Sequence, residues 1–148
     1  MSQQAVQKLV ANRQLATADQ VKAWDEALAE LDQQKDAADL KDLHLVFIDQ
    51  TQNQEVMFGL VHLLETFDVR PQIEAMLEAL PTMVKQAPEW TRVLHYRILN
   101  DDAASAVYKD VLAAASGPGA EAARSVLEQI ARDEEPPLST AARAVLGS

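Results

Sequence analysis

Residues 90–101 read WTRVLHYRILND, and the placement of this segment decides the fold. At about 100° per residue a helix sets Trp90, Val93, Leu94 and Ile98 on one arc, with Arg97 inside it. Arg92, His95, Tyr96 and Leu99 fall on the opposite arc. Apolar or aromatic matter on both sides predicts an internal helix with neighbours on more than one side. A guanidinium among core positions needs a carboxylate or carbonyl, or must reach outward along its stem. Glu65, at the edge of the stripe Met57, Leu60, Val61 and Leu64, is the expected partner. In a buried pair, removing one member would cost roughly 3 to 5 kcal/mol.

Working outward, only 4 Gly and 6 Pro punctuate a chain rich in Ala, Leu, Glu, Gln and Asp, which predicts an all-helical protein. A short helix is expected near residues 3–12. Thr17 with Gln20 reads as a capping box opening a helix to about Lys35, with Val21, Trp24, Leu28 and Leu31 on one face. A helix through KDLHLVFID follows, and Thr51 with Gln54 reads as a second capping box before a helix over 52–67. Pro71 suits the first turn of the next helix, which Pro81 should kink or split. Pro88 starts the helix of the quoted segment. Asn100 closes it, and Asp101 caps a helix bearing Ala104, Val107, Tyr108, Val111 and Leu112. Helices from about Ala120 to Arg132 and from Ser139 complete the chain.

Offset by 33, Leu60-Val61-His62 lies over Val93-Leu94-His95, Asp68 over Asp101, and Val93-Leu94 over Val126-Leu127. Recurring helix pairs suit a stacked array, because one pair cannot bury its own apolar face. The expected fold is all-α: stacked antiparallel helix pairs in a HEAT-like α-α array, or an irregular helical bundle, as one domain over 1–148.

The chain of 148 residues has 13 basic and 23 acidic side chains, a net charge of -10. The excess is spread, with 5 basic against 9 acidic residues in 1–50, 4 against 6 in 51–100 and 4 against 8 in 101–148. Such a surface repels a nucleic-acid backbone and suits either solubility or a basic protein partner. No cysteine occurs, which excludes thiol catalysis, disulfides and cysteine-ligated zinc. Without a signal-peptide core or a long apolar run, the expectation is a cytoplasmic protein with no membrane span.

Catalytic patterns are missing: no G-x-S-x-G elbow, P-loop, dinucleotide glycine pattern or H-E-x-x-H occurs. His62-x-x-Glu65 has metal-ligand spacing in reversed order and no second copy, and His44, His62 and His95 fall on separate helices, so neither a metal nor a cofactor is expected. Glu55, Gly59, His62 and Thr66 share one strip, with Glu55 and His62 two turns apart and able to contribute to one groove. Both tryptophans, Trp24 and Trp90, lie on apolar stripes and read as core.

The segments NQEVMFGLVHLLETF (53–67) and APEWTRVLHYRILND (87–101) together resemble small helical immunity proteins of bacterial polymorphic-toxin and contact-dependent growth inhibition systems. They are most similar to the family called immunity protein thirty, over about residues 40–115. The matching positions are Glu55, Gly59, His62, Glu65, Trp90, His95, Arg97, Asn100 and Asp101. The resemblance implies a non-catalytic inhibitor that binds a toxin domain, for which a basic nuclease would be an apt target. The alternative is a helical-repeat adaptor or chaperone-like module. Trp24, Glu65, Trp90, Arg97 and Asn100 are expected to be structural. The toxin-binding surface is expected on exposed faces around Glu55, His62 and His95, with Asp101 and Asp102.

Overall fold

The computed structural model describes residues 2–147, and among them nine α-helices and no strand. In chain order they are α1 (Ser2–Asn12), α2 (Ala18–Gln34), α3 (Leu40–His44), α4 (Gln54–Glu65), α5 (Val69–Gln86), α6 (Pro88–Leu99), α7 (Asp102–Ala114), α8 (Pro118–Asp133) and α9 (Leu138–Leu146). A 3-10 turn, Ala37–Asp39, precedes α3. The protein is all-α, as the composition predicts.

Local chemistry sets most of the helix ends. Thr17 Oγ1 accepts from Gln20 N at 3.1 Å, while Gln20 Oε1 accepts from Ala16 N at 2.7 Å, a reciprocal cap at the start of α2. Pro88 occupies the first position of α6, where a missing N–H costs nothing. Asp101 Oδ1 accepts from Ala104 N at 3.1 Å and starts α7.

Three expectations are corrected. The helix through KDLHLVFID stops at His44, and the chain crosses to α4 without regular structure. Val46 and Phe47 are fully buried there, so their segment's carbonyls need side-chain donors. Arg13 donates to Leu45 O and Val46 O, each at 3.3 Å, and Gln86 Nε2 to Leu45 O at 2.7 Å and Phe47 O at 3.1 Å. The cap of α4 is Asn53, whose Oδ1 accepts from Val56 N at 3.2 Å. Thr51 is buried instead, donating to Gln14 O. Finally, of the kink or split expected at Pro81, the split does not occur, and α5 runs through it. Pro81 has no N–H for the Leu77 carbonyl, and Gly119 of α8 abuts that carbonyl from outside. A Cβ at 119 would lie 2.2 Å from Leu77 O, so only glycine fits this approach.

Helix pairs α4–α5, α6–α7 and α8–α9 succeed one another, and packing skips one element along the chain: α2 on α4, α3 on α5, α5 on α7, α7 on α9. This skipping is compatible with either the stacked array or the irregular bundle, and α5 also crosses α8. The buried side chains form one contiguous cluster, to which α5 gives Ile73, Met76, Leu77, Leu80 and Met83. Trp24 and Trp90 both belong to it, and the Trp24 indole N–H donates to Val56 O at 3.2 Å.

The internal repeat holds with a slipped register. The starts of α4 and α6 are Gln54 and Pro88, 34 apart, whereas those of α5 and α7, Val69 and Asp102, are 33 apart. The turn 66–68 between α4 and α5 is one residue longer than 100–101 between α6 and α7. At 34 the buried positions Met57, Leu60, Val61 and Leu64 fall on Thr91, Leu94, His95 and Ile98, all buried. His95 therefore corresponds to Val61, and His62 to Tyr96.

Candidate partner-binding face

The interior side of α6 carries two polar residues, Thr91 and His95, and both are satisfied. His95 has no exposed surface. Its Nδ1 lies 2.8 Å from Thr91 O, which can only accept, so Nδ1 carries the proton and Nε2 accepts from Tyr108 Oη at 2.7 Å. Thr91 Oγ1 in turn donates to Ala87 O at 2.8 Å. Burial pushes the His95 imidazole down to about 4 and raises the Tyr108 phenol, so both stay neutral. This corrects the expectation that His95 lies on an exposed face. His44 is held the same way, its Nδ1 2.7 Å from Leu40 O and its pKa lowered by burial to about 4.

Arg97 finds the expected partner in a different setting. Its Nε and a terminal nitrogen donate to the two Glu65 carboxylate oxygens at 2.5 and 2.7 Å, a bidentate pair. The side chains keep 40% and 36% of their surface exposed, so the pair bridges α4 and α6 at the surface, not in the core. The Arg97 guanidinium also lies 5.2 Å from the Phe58 ring centroid, and these hydrogen bonds to Glu65 raise its pKa. On the far side of α6, Tyr96 Oη donates to Glu134 at 2.9 Å and accepts from Arg92 Nε at 3.1 Å, tying α6 to the end of α8.

The outer strip of α4 carries Glu55, Phe58, His62 and Glu65, at the i, i+3, i+7, i+10 spacing of one helix face. Half-buried Phe58 sits at its centre, with its ring 5.0 Å from that of His62 and 5.9 Å from that of Trp90, which also packs on Phe47 at 5.4 Å. Three depressions open around this strip. Glu55, Phe58, Glu89, Trp90 and Val93 line one of about 320 Å³ between α4 and α6. His62 and Gly59 line a second with Leu28 and Asp32 of α2. Glu65, Arg97, Asn100 and Asp101 line a third toward α7.

Glu55 and His62 are thus both exposed but open onto different grooves, not the one expected for them. Asp101 is exposed, with one carboxylate oxygen engaged in its cap, and Asp102 is exposed beside it. Asn100 follows the last turn of α6 as its C-cap. Phe58 and Glu89 went unmarked in the sequence, although Phe58 shares the strip of Glu55 and His62 and could have been found from that spacing. Asp49 gave no such signal. Its carboxylate accepts from Glu89 N at 2.8 Å and Trp90 N at 3.2 Å, capping α6 from 40 residues away.

Among the described residues no group of three or more His, Cys, Asp or Glu could hold a metal ion. The buried titratable groups are consumed by internal hydrogen bonds, and the exposed ones are dispersed on a carboxylate-rich helical face with an aromatic centre. Such a surface can bind a partner. No helix among the described residues is long and apolar enough to cross a membrane.

Comparison with known proteins gives one result. No curated protein and no solved structure matches the chain. A family model described as Immunity protein 30 matches residues 11–108, from the last two residues of α1 to Tyr108, reaching further toward the N-terminus than the similarity read from the sequence. The match takes in α4, α6 and every residue of the strip between them, and with more than half of its length covered the chain belongs to the immunity protein 30 family.

Proposed function

We propose that this protein is a non-catalytic inhibitor that binds a cognate bacterial toxin domain in the cytoplasm and neutralises it, as part of a polymorphic-toxin or contact-dependent inhibition system. Membership of the immunity protein family carries this reading. The binding face is the outer side of α4 and α6, with Phe58 at its centre and Glu55, His62, Asp101 and Asp102 around it. A half-buried aromatic ringed by polar groups is the usual make-up of an interface anchor. The net charge of -10 favours a basic toxin, for instance a nuclease, since complementary charge speeds encounter and rejects wrong partners.

Co-expression with each toxin domain encoded beside its gene tests this: growth should be rescued by one of the pairings, and the two purified proteins should form a stable complex. Phe58→Ala should weaken that complex by about 30-fold, equivalent to about 2 kcal/mol, with the helical circular-dichroism spectrum retained. Failure to rescue against every neighbouring toxin domain would discard the reading.

A further inference from the structure

We infer that the groove between α4 and α6 is a receptor for one guanidinium side chain, an arginine presented by the toxin domain. This rests on the function proposed above and names the chemistry of its contact. The groove has an apolar floor of Phe58, Trp90 and Val93, and two carboxylates, Glu55 and Glu89, at its rim. Both carboxylates are exposed, and among the described residues neither is ion-paired. Asp49, which caps α6 beside Glu89 and Trp90, is occupied by their N–H groups.

An aromatic floor beneath unpaired carboxylates selects a narrow chemistry. A purely apolar side chain would cover the floor while crowding the carboxylates out of water without giving them a partner. A metal ion lacks a third ligand. A lysine ammonium is a compact, strongly hydrated charge that makes little use of a ring face. A guanidinium is planar, weakly hydrated and able to stack on the rings while its edges donate to both carboxylates. The protein already uses Phe58 in this way once, with its own Arg97 at 5.2 Å from the ring.

Glu55 and Glu89 are each the second residue of a helix, α4 and α6, where the helix N-terminus favours negative charge. That placement lets two like charges share a rim without a cation of the protein's own.

The test is an NMR titration of the labelled chain with N-acetyl-arginine amide, its lysine counterpart and its neutral citrulline counterpart. Arginine amide should shift the Trp90 indole and the amides of Phe58 and Val93, and citrulline amide should leave them in place. The E55Q/E89Q double variant should weaken arginine binding tenfold or more, with the helical circular-dichroism spectrum retained. Lysine or citrulline matching arginine, shifts scattered over other carboxylates, or an unaffected double variant would each overturn the assignment. Measured against the toxin domain, the same variant separates the two readings. Neutralisation intact with a groove blind to arginine sinks this inference alone. Arginine bound without any toxin neutralised upholds the groove's chemistry and removes the toxin as its source.

Discussion

Helices α4 and α6 hold equivalent places in successive helix pairs, twelve residues each, and present opposite solutions to the same packing task. The inward side of α4 is Met57, Leu60, Val61 and Leu64, wholly apolar. At the matching places α6 puts Thr91, Leu94, His95 and Ile98, and its two polar members are satisfied by Ala87 O, Thr91 O and Tyr108 Oη. Outward, the roles reverse in part: α4 displays Phe58 and His62, while α6 ties its outward Arg92, Tyr96 and Arg97 to carboxylates of neighbouring helices. The difference teaches that two histidines in nearly identical contexts, Leu-Val-His62 and Val-Leu-His95, part company because of one residue in a turn. A slip of one position rotates a helix by about 100°, which carries a side chain from water to core.

Acid should break the comparison most strongly. His44 and His95 have folded-state pKa values near 4 against 6.5 in an unfolded chain. Between those values the unfolded chain binds protons that the fold refuses, so stability is full above about pH 6.5 and falls as pH drops toward 4. The loss should reach about 2 to 3 kcal/mol for each histidine. Urea midpoints at pH 7 and pH 4.5 measure it, and equal midpoints would mean that neither ring is buried neutral.

Giving α6 the residue α4 carries is the next largest perturbation. His95→Val removes the acceptor of the Tyr108 hydroxyl and leaves a buried donor unsatisfied, at a cost of about 2 to 3 kcal/mol. Adding Tyr108→Phe removes the stranded donor and should restore at least half of that loss. The double variant should also lose about half of the acid dependence, leaving the His44 share. A double variant no more stable than the single one would show that shape, not hydrogen bonding, decides the site.

How much of this was legible depends on how far along the chain each cause lies. Thr17, Pro88 and Asp101 act within four residues of themselves, and the sequence places their helix ends well. Thr51 had the right local pattern for a cap and lost to Asn53 because Gln14, far away in sequence, took its hydroxyl. The crossing after His44 looked helical because Leu45, Val46, Phe47 and Ile48 continue an apolar run, although none of them is in a helix. Its carbonyls are satisfied by Arg13 and Gln86, which no local window contains. Pro81 reads as a kink or a split, and the close approach of Gly119 to the Leu77 carbonyl, four residues before it, is visible only in the fold. The repeat was visible, but matching Asp68 to Asp101 aligned the caps and misaligned the helices before them, while His95 was put on an exposed face because it lies on the arc opposite Trp90, Val93, Leu94 and Ile98, an arc that the fold also buries.

The smallest effect concerns the ion pair that joins the two helices. Read as a buried pair, Arg97 and Glu65 would be worth several kcal/mol to each other. With 40% and 36% of the side chains open to water, the charges are screened and each is well solvated without its partner. Arg97→Ala should therefore cost only about 0.5 to 1 kcal/mol, and much of that should vanish in 1 M salt, where screening acts within about 3 Å. Glu65→Gln should cost no more. What the pair does is orient: it holds the guanidinium over the Phe58 ring. A thermal-denaturation loss above about 3 kcal/mol, insensitive to salt, would place the pair in the interior after all and make the α4–α6 seam as tightly sealed as the α6–α7 one.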